Sequence, residues 1–208
     1  MQIAPSPRKF RVLGIDPAAA GPTGYGIVEV EGRKCRALHF GALKVGEKRK
    51  ESAGAALEAV HDLICDLIQQ FSPEAVAVES IFSALNVKTA LRLAEVRGVV
   101  LLAASQHQVE VFSYAPREIK SSVAGYGNAD KRQVQTMVRA LLAMAEIPEP
   151  ADAADALAVA LCHLQTDESR RRFGATTMPR VNSSASRGKL ARAAAATPIT
   201  APRIQSLR

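Results

Sequence analysis

The chain has 208 residues, 48% hydrophobic and 23% charged, with mean hydropathy near zero and a net charge of +7, a composition that fits one soluble globular domain with additional sequence and excludes two large domains. Cys35, Cys65 and Cys162 lie far apart with no C-x-x-C spacing, which excludes a disulfide framework and a zinc cluster and predicts a reducing, cytoplasmic setting. No run of 18 uncharged apolar residues and no leader pattern is present, so neither a membrane span nor export is expected.

Residues 1–10 read as a flexible extension, and residues 11–166 as the folded domain. The segment RVLGID (11–16) predicts a short buried strand, followed by strands over 23–31 and 34–43 joined at the turn Gly32-Arg33. From 52 to 71 the apolar residues Leu57, Val60, Ile64, Leu67, Ile68 and Phe71 recur every three or four positions and predict an amphipathic helix that Ser72-Pro73 stops. AVAVE (75–79) predicts a buried strand ending in a carboxylate, 87–106 a long helix, and 109–114 a further strand. Helices are expected over 116–124, 130–145 and 152–165, each opening on Pro or Asp. Residues 169–208 carry eight Arg, one Lys and no acid, against 18 basic and 20 acidic residues before them. The stretch 167–208 therefore predicts a disordered basic tail, suited to a polyanion or to solubility alone.

Three strands, then helices alternating with strands, predict a mixed α/β sheet, in which functional groups gather at the carboxyl ends of the parallel strands. Asp16 and Glu79 end two such strands. Asp152 and Asp155 stand three apart in PADAADALAVAL and so share a helix face. Four converging carboxylates must be protonated or neutralised, and their all-oxygen donor set suits Mg²⁺ or Mn²⁺. Taken singly, Asp152 and Asp155 also fit the opening turn of a helix, and Asp16 before Pro17 fits turn chemistry. An acid after the apolar run AVAV, as at Glu79, is unusual for a solvated strand end. Gly125 and Gly127 flank Tyr126 ahead of a helix start, a turn that lets backbone approach a phosphate. Ala90, Ala94 and Gly98 repeat every four residues and permit close helix packing. His39, His61, His107 and His163 show no metal-ligand spacing, and no catalytic role is expected of them.

GID (14–16), TGYG (23–26), AVES-IF (77–82), Asn86, TALRLAEVRGV (89–99), GYGNADKRQVQTMV (125–138) and ADAADALAVAL (151–161) resemble, in order and spacing, the motifs of the RuvC family of bacterial Holliday junction resolvases. The resemblance covers about residues 11–165. It implies a ribonuclease H-like fold, a mixed five-stranded sheet flanked by helices. It also implies a homodimer that cuts four-way junction DNA by paired symmetric nicks, leaving 5′-phosphate and 3′-hydroxyl ends, in recombination and repair. Asp16, Glu79, Asp152 and Asp155 match the family's catalytic, metal-binding acids, with two Mg²⁺ per subunit and Mn²⁺ as a substitute. Phe82 matches an aromatic used at the junction centre, and Lys120 and Lys131 match basic residues near the scissile phosphate. Asn86, Gly125 and Gly127 are the further DNA contacts expected, the helix at 87–106 is implied in dimerisation, and RuvA and RuvB are the implied partners. The loop PAAAGPTGYG departs from the family, with Ala18 in place of the usual Gly and one residue more in length. The alternatives are a ribonuclease H-like enzyme acting on RNA or hybrids, and a junction-binding protein without catalysis.

Overall fold

The computed structural model describes residues 9–18, 21–32, 34–44, 52–80 and 86–173. The expectations for residues 1–8, for Phe82 and for the tail from residue 174 lie outside the described residues. Strands β1 (Lys9–Asp16), β2 (Thr23–Glu31) and β3 (Lys34–Leu43) form an antiparallel meander. Helix α1 (Ala53–Phe71) starts where the Ser52 hydroxyl accepts the Ala55 N–H at 3.2 Å. It ends at Ser72, in the left-handed region at φ 47°, ahead of Pro73. Strand β4 (Ala75–Glu79), helix α2 (Val87–Gln106) and strand β5 (Glu110–Tyr114) follow, with β4 parallel to both β1 and β5. The sheet runs β3-β2-β1-β4-β5, the mixed five-stranded arrangement that the element order predicts. Helices α3 (Pro116–Ala124), α4 (Lys131–Leu141) and α5 (Ala151–Phe173) complete the chain as described.

The sheet separates two cores. On one face Leu13, Ile15, Val76 and Val78 pack under Val60, Ile64, Leu67 and Ile68 of α1 and Val100, Ala103 and Ala104 of α2. Each large apolar side chain fully buried there contributes about 1.5–3 kcal/mol. On the other face Val12, Ala75, Ala77, Phe112 and Tyr114 pack against α5 through Leu157, Ala158 and Leu161, with α3 and α4 outside it.

Two glycines set how closely α5 lies on the sheet. A Cβ at Gly14 would stand 2.1 Å from the Ala156 carbonyl oxygen, and one at Gly24 would stand 2.0 Å from the Asp152 carbonyl oxygen. Only a hydrogen fits between these strands and the helix backbone. The glycines of GID and TGYG thus lower the start of α5 onto the ends of β1 and β2.

Three boundaries differ from the sequence pattern by two residues or more. Strand β1 begins at Lys9 rather than 11, because Phe10 stacks on His163 at 6.3 Å between ring centroids. Helix α4 stops at Leu141 instead of 145, where Ala143 takes a positive φ of 51° and the Met144 N–H turns back to the Arg139 carbonyl. Helix α5 runs on to Phe173 past 165, with Asp167 held by Arg170 and Arg171, and Glu168 by Arg172.

Candidate active site

Side chains alternate across a strand. Gly14 faces α5, so Asp16, two residues on, faces α5 as well; Ala75 and Ala77 face α5, and Glu79 continues that set. Parallel pairing of Ile15 with Val78 places Asp16 and Glu79 side by side at adjacent strand ends. Asp152 and Asp155 on the opening turns of α5 come down over them, Asp152 directly above Gly24. The structure thereby brings together the four acids that the sequence singles out, all half-buried.

Their electrostatics follow from that crowding. Burial, reinforced by the Glu79, Asp155 and Asp152 carboxylates, pushes Asp16 up to about 8. Burial and Asp155 raise Glu79 also, while the hydrogen bond from Asp16 and the nearby Lys120 ammonium pull it back. Asp16 and Glu79 are thus both driven toward the protonated form. Lys131 Nζ lies 2.7 Å from Asp155 Oδ2, and this contact raises the lysine above its ordinary value. A cleft of about 230 Å³ opens beside the acids, lined by Asp16, Glu79, Lys120, Lys131 and Asp155, with Pro116, Ile119, Val134, Ala158 and Val159 as walls. Asp152 is not among its lining residues.

The donor set fits a hard divalent cation. It is all oxygen, and two of its members are driven toward the protonated form by desolvation and by one another, a deficit that positive charge relieves. With the side chains as they stand, among the described residues no three acids, imidazoles or thiols converge closely enough to enclose an ion. Asp155 is turned to Lys131 instead.

The remaining expected contacts fall elsewhere. Asn86 is the cap of α2, its Oδ1 accepting the Thr89 N–H at 2.9 Å, and it does not line the cleft. Gly125 ends α3 at φ 87°, and a Cβ at Gly127 would stand 3.1 Å from the Ser121 hydroxyl, so both glycines have a local structural reason. Sequence reasoning missed Ser80. Its N–H and hydroxyl both donate to the Tyr114 carbonyl, at 2.9 and 3.1 Å, and fix the chain as it leaves Glu79. It missed the apolar cleft walls as well, because nothing in the sequence pattern singles out Ile119 and Val134. His163 is buried, with Nδ1 2.8 Å from the Tyr114 hydroxyl, and desolvation lowers it to about 4.

A five-stranded mixed sheet, with acids ending its neighbouring parallel strands and a helix carrying two more across them, defines the ribonuclease H-like class. The yeast mitochondrial Holliday junction resolvase Ydc2 shares this fold, with a TM-score of 0.60 at 17% identity over 82% of this chain and 84% of its own. Within the class, the family described as crossover junction endodeoxyribonuclease RuvC matches residues 12–163, and the chain belongs to that family. It is 45% identical to the RuvC of Natranaerobius thermophilus over 162 residues, 78% of this chain and 99% of that one. It is also similar to the Thermus thermophilus RuvC solved in complex with a Holliday junction substrate, at 36% identity and a TM-score of 0.72, covering 77% of this chain and 96% of that one.

Proposed function

We infer that this protein is a metal-dependent endonuclease that resolves four-way DNA junctions by phosphodiester hydrolysis, in recombination and repair. The observation that carries this reading is the meeting of Asp16 and Glu79 at adjacent strand ends beneath the acidic start of α5, with two lysines on the rim, in a chain of the RuvC family. A pure binding protein has no use for four half-buried carboxylates, whose crowding opposes both folding and the approach of a polyanion.

Asp16, Glu79, Asp152 and Asp155 would hold the cations, two Mg²⁺ per subunit with Mn²⁺ able to substitute. When bound, such ions polarise the phosphate and supply hydroxide at neutral pH. The chain's own part is positional and electrostatic. Lys120 and Lys131 set fixed positive charge at the cleft, where the scissile phosphate and its developing charge are stabilised. Ile119, Val134 and Val159 keep one wall of the cleft apolar, which limits bulk water and strengthens those charges. Phe82 would stack on bases at the junction centre, and Asn86, Gly125 and Gly127 would contact the backbone nearby. Nicks would carry 5′-phosphate and 3′-hydroxyl ends.

A homodimer supplies two sites for two strands. Its surface would be the exposed apolar stripe of α2: Val87, Leu91 and Leu102 are 75%, 61% and 53% exposed, with Ala94 and Gly98 between them and no atom within 4 Å of a Cβ at Gly98. Partnership with RuvA and RuvB rests on family resemblance. A cytoplasmic setting is supported by free thiols, and no described helix is long and apolar enough to cross a membrane.

The test is amide replacement of each acid. Asp16→Asn, Glu79→Gln, Asp152→Asn and Asp155→Asn should each retain junction binding and lose Mg²⁺-dependent cleavage by more than the roughly 10- to 100-fold that loss of an outer-shell partner costs. Cleavage at the unaltered rate in any one of them would remove that residue from the site.

A further inference from the structure

Helices α3 and α4 form a hairpin whose connection, residues 125–130, presents an exposed aromatic ring. Tyr126 is 47% exposed, and Met137 on α4 is 37% exposed. Both line a groove of about 420 Å³ together with Arg132, Gln133 and Asp130. The groove is separate from the catalytic cleft but shares a wall with it. Lys131 and Val134 of α4 line the cleft, whereas Arg132 and Met137 line the groove. Successive residues of a helix point about 100° apart, so α4 is a ridge with a cation on either side, one for each depression.

The exposed ring is held in place. Its hydroxyl donates to Gln133 Oε1 at 2.5 Å, and the same oxygen accepts the Asp130 N–H at 2.9 Å. The Asp130 carboxylate is engaged as the cap of α4, accepting the Gln133 N–H at 2.8 Å. Arg132 is different: it is exposed and has no ion-pair partner among the described residues, while Lys131 beside it is held by Asp155. The hairpin as a whole is cationic. Residues 116–141 hold five basic and two acidic residues, and the second acid, Glu118, also caps a helix, accepting the Ala115 N–H at 2.6 Å. The rest of residues 1–173 holds 16 basic and 18 acidic residues, so positive charge is concentrated where the fixed ring and the unpaired guanidinium stand.

Resting on the reading that the substrate is junction DNA, we propose that this groove seats the stretch of DNA strand next to the scissile phosphate, with a deoxyribose against Tyr126 and Met137 and its phosphate on Arg132. The planar guanidinium fork holds two phosphate oxygens at once, and the apolar faces of the ring and the thioether suit the sugar beside it. Continuity with the cleft favours the cut strand as occupant, because a backbone crossing α4 passes from Lys131 to Arg132. Contacts to sugar and phosphate fix the register of a strand without reading its bases. The role that follows is to set how the strand lies over the cleft, with no part in the chemistry.

The experiment measures equilibrium binding of a synthetic four-way junction, titrated against NaCl in EDTA, by the full chain and by Arg132→Gln, Tyr126→Ala and Arg139→Gln. The last is a charge control, since Arg139 is exposed on α4 and lines neither depression. Junctions carrying one neutral methylphosphonate at successive positions near the branch point locate the contact. Arg132→Gln is expected to weaken binding about 10-fold, as loss of a charged hydrogen bond does, and to make a plot of log affinity against log salt less steep by about 1. Tyr126→Ala should weaken binding with that slope unchanged, and Arg139→Gln should bind as the parent does. At one position next to the scissile phosphate, the methylphosphonate should weaken the parent and leave Arg132→Gln no weaker still, the non-additivity of two groups in contact. Unaltered binding by Arg132→Gln or Tyr126→Ala would overturn the proposal. So would an equal loss in Arg139→Gln, which would reduce the groove to diffuse charge, or additive losses at every methylphosphonate. Cleavage in Mg²⁺ is read separately: a parent chain that binds through the groove and does not cut contradicts the proposed activity and leaves the groove established.

Discussion

Lys131 holds Asp155 at 2.7 Å on the rim of the cleft, so in the proposed function one side chain would both restrain a candidate ligand and offer charge to a phosphate. Lys131→Ala is expected to lower the cleavage rate at saturation by about 10²–10³-fold, the usual cost of a lost transition-state donor, with junction affinity changed far less. Single-turnover cleavage beside equilibrium binding separates the two effects, and an equal loss in both would make Lys131 a simple phosphate contact. A buried titratable group elsewhere bears on stability rather than catalysis. His163 is neutral inside the fold, with a value of about 4 against an ordinary 6.5, so below pH 6.5 the unfolded chain binds a proton that the folded chain refuses. Its contribution is fully present above pH 6.5 and is lost as pH falls toward 4, about 3 kcal/mol in all. Urea unfolding at pH 7 and pH 4.5 should show that loss in the parent chain and a smaller one in His163→Phe. Residue identity made some of this legible and hid the rest. Glu79 stood out because an acid closing AVAV breaks the rule for a buried strand. Glu29 did not, since an acid within an alternating strand reads as solvent-facing. In the fold it is 1% exposed and held below the usual carboxylate range by Arg36 and Arg11, at 2.6 and 2.7 Å.

The contact between α5 and the first two strands is what converts separate acids into one cleft. Gly24→Ala would drive a methyl into the Asp152 carbonyl, lifting the first turn of α5 at a cost of about 1–3 kcal/mol, as overpacking does. Cleavage should fall with it, because Asp152 rides on that turn and Asp155 on the one that follows it. Thermal unfolding of this variant, compared with Gly98→Ala where a Cβ meets nothing within 4 Å, separates close packing from helix propensity; equal melting temperatures would contradict this account of α5. Helix α2 gives an independent prediction. Leu91→Glu places a charge in the centre of its exposed apolar stripe and should convert a dimer into a folded monomer that makes single, unpaired nicks. Sedimentation of parent and variant at equal concentration checks it, and a parent chain that sediments as a monomer would rule out the dimer surface. Apolar spacing foretold the helices and the strands of a mixed sheet, though not the order in which the strands pair. It overran at α4, where the Ala143 turn has no sequence marker, and fell short at α5, where ion pairs rather than apolar contacts carry the last turns.

Taken whole, the molecule gathers acids in a cleft at the carboxyl ends of β1 and β4, while residues 1–173 together carry a net charge of only +1. Under the proposed function the cleft's two lysines would address a phosphate locally, while selection of a junction over a plain duplex would come from shape, through the two sites of the proposed dimer. Mg²⁺-dependent cleavage of a mobile four-way junction, measured beside a matched linear duplex and an RNA–DNA hybrid with Asp16→Asn as control, tests this most directly. Paired symmetric nicks in the junction alone, absent from Asp16→Asn, are the predicted result. Cutting of the hybrid or the duplex at a comparable rate, or tight junction binding without cleavage, would contradict it.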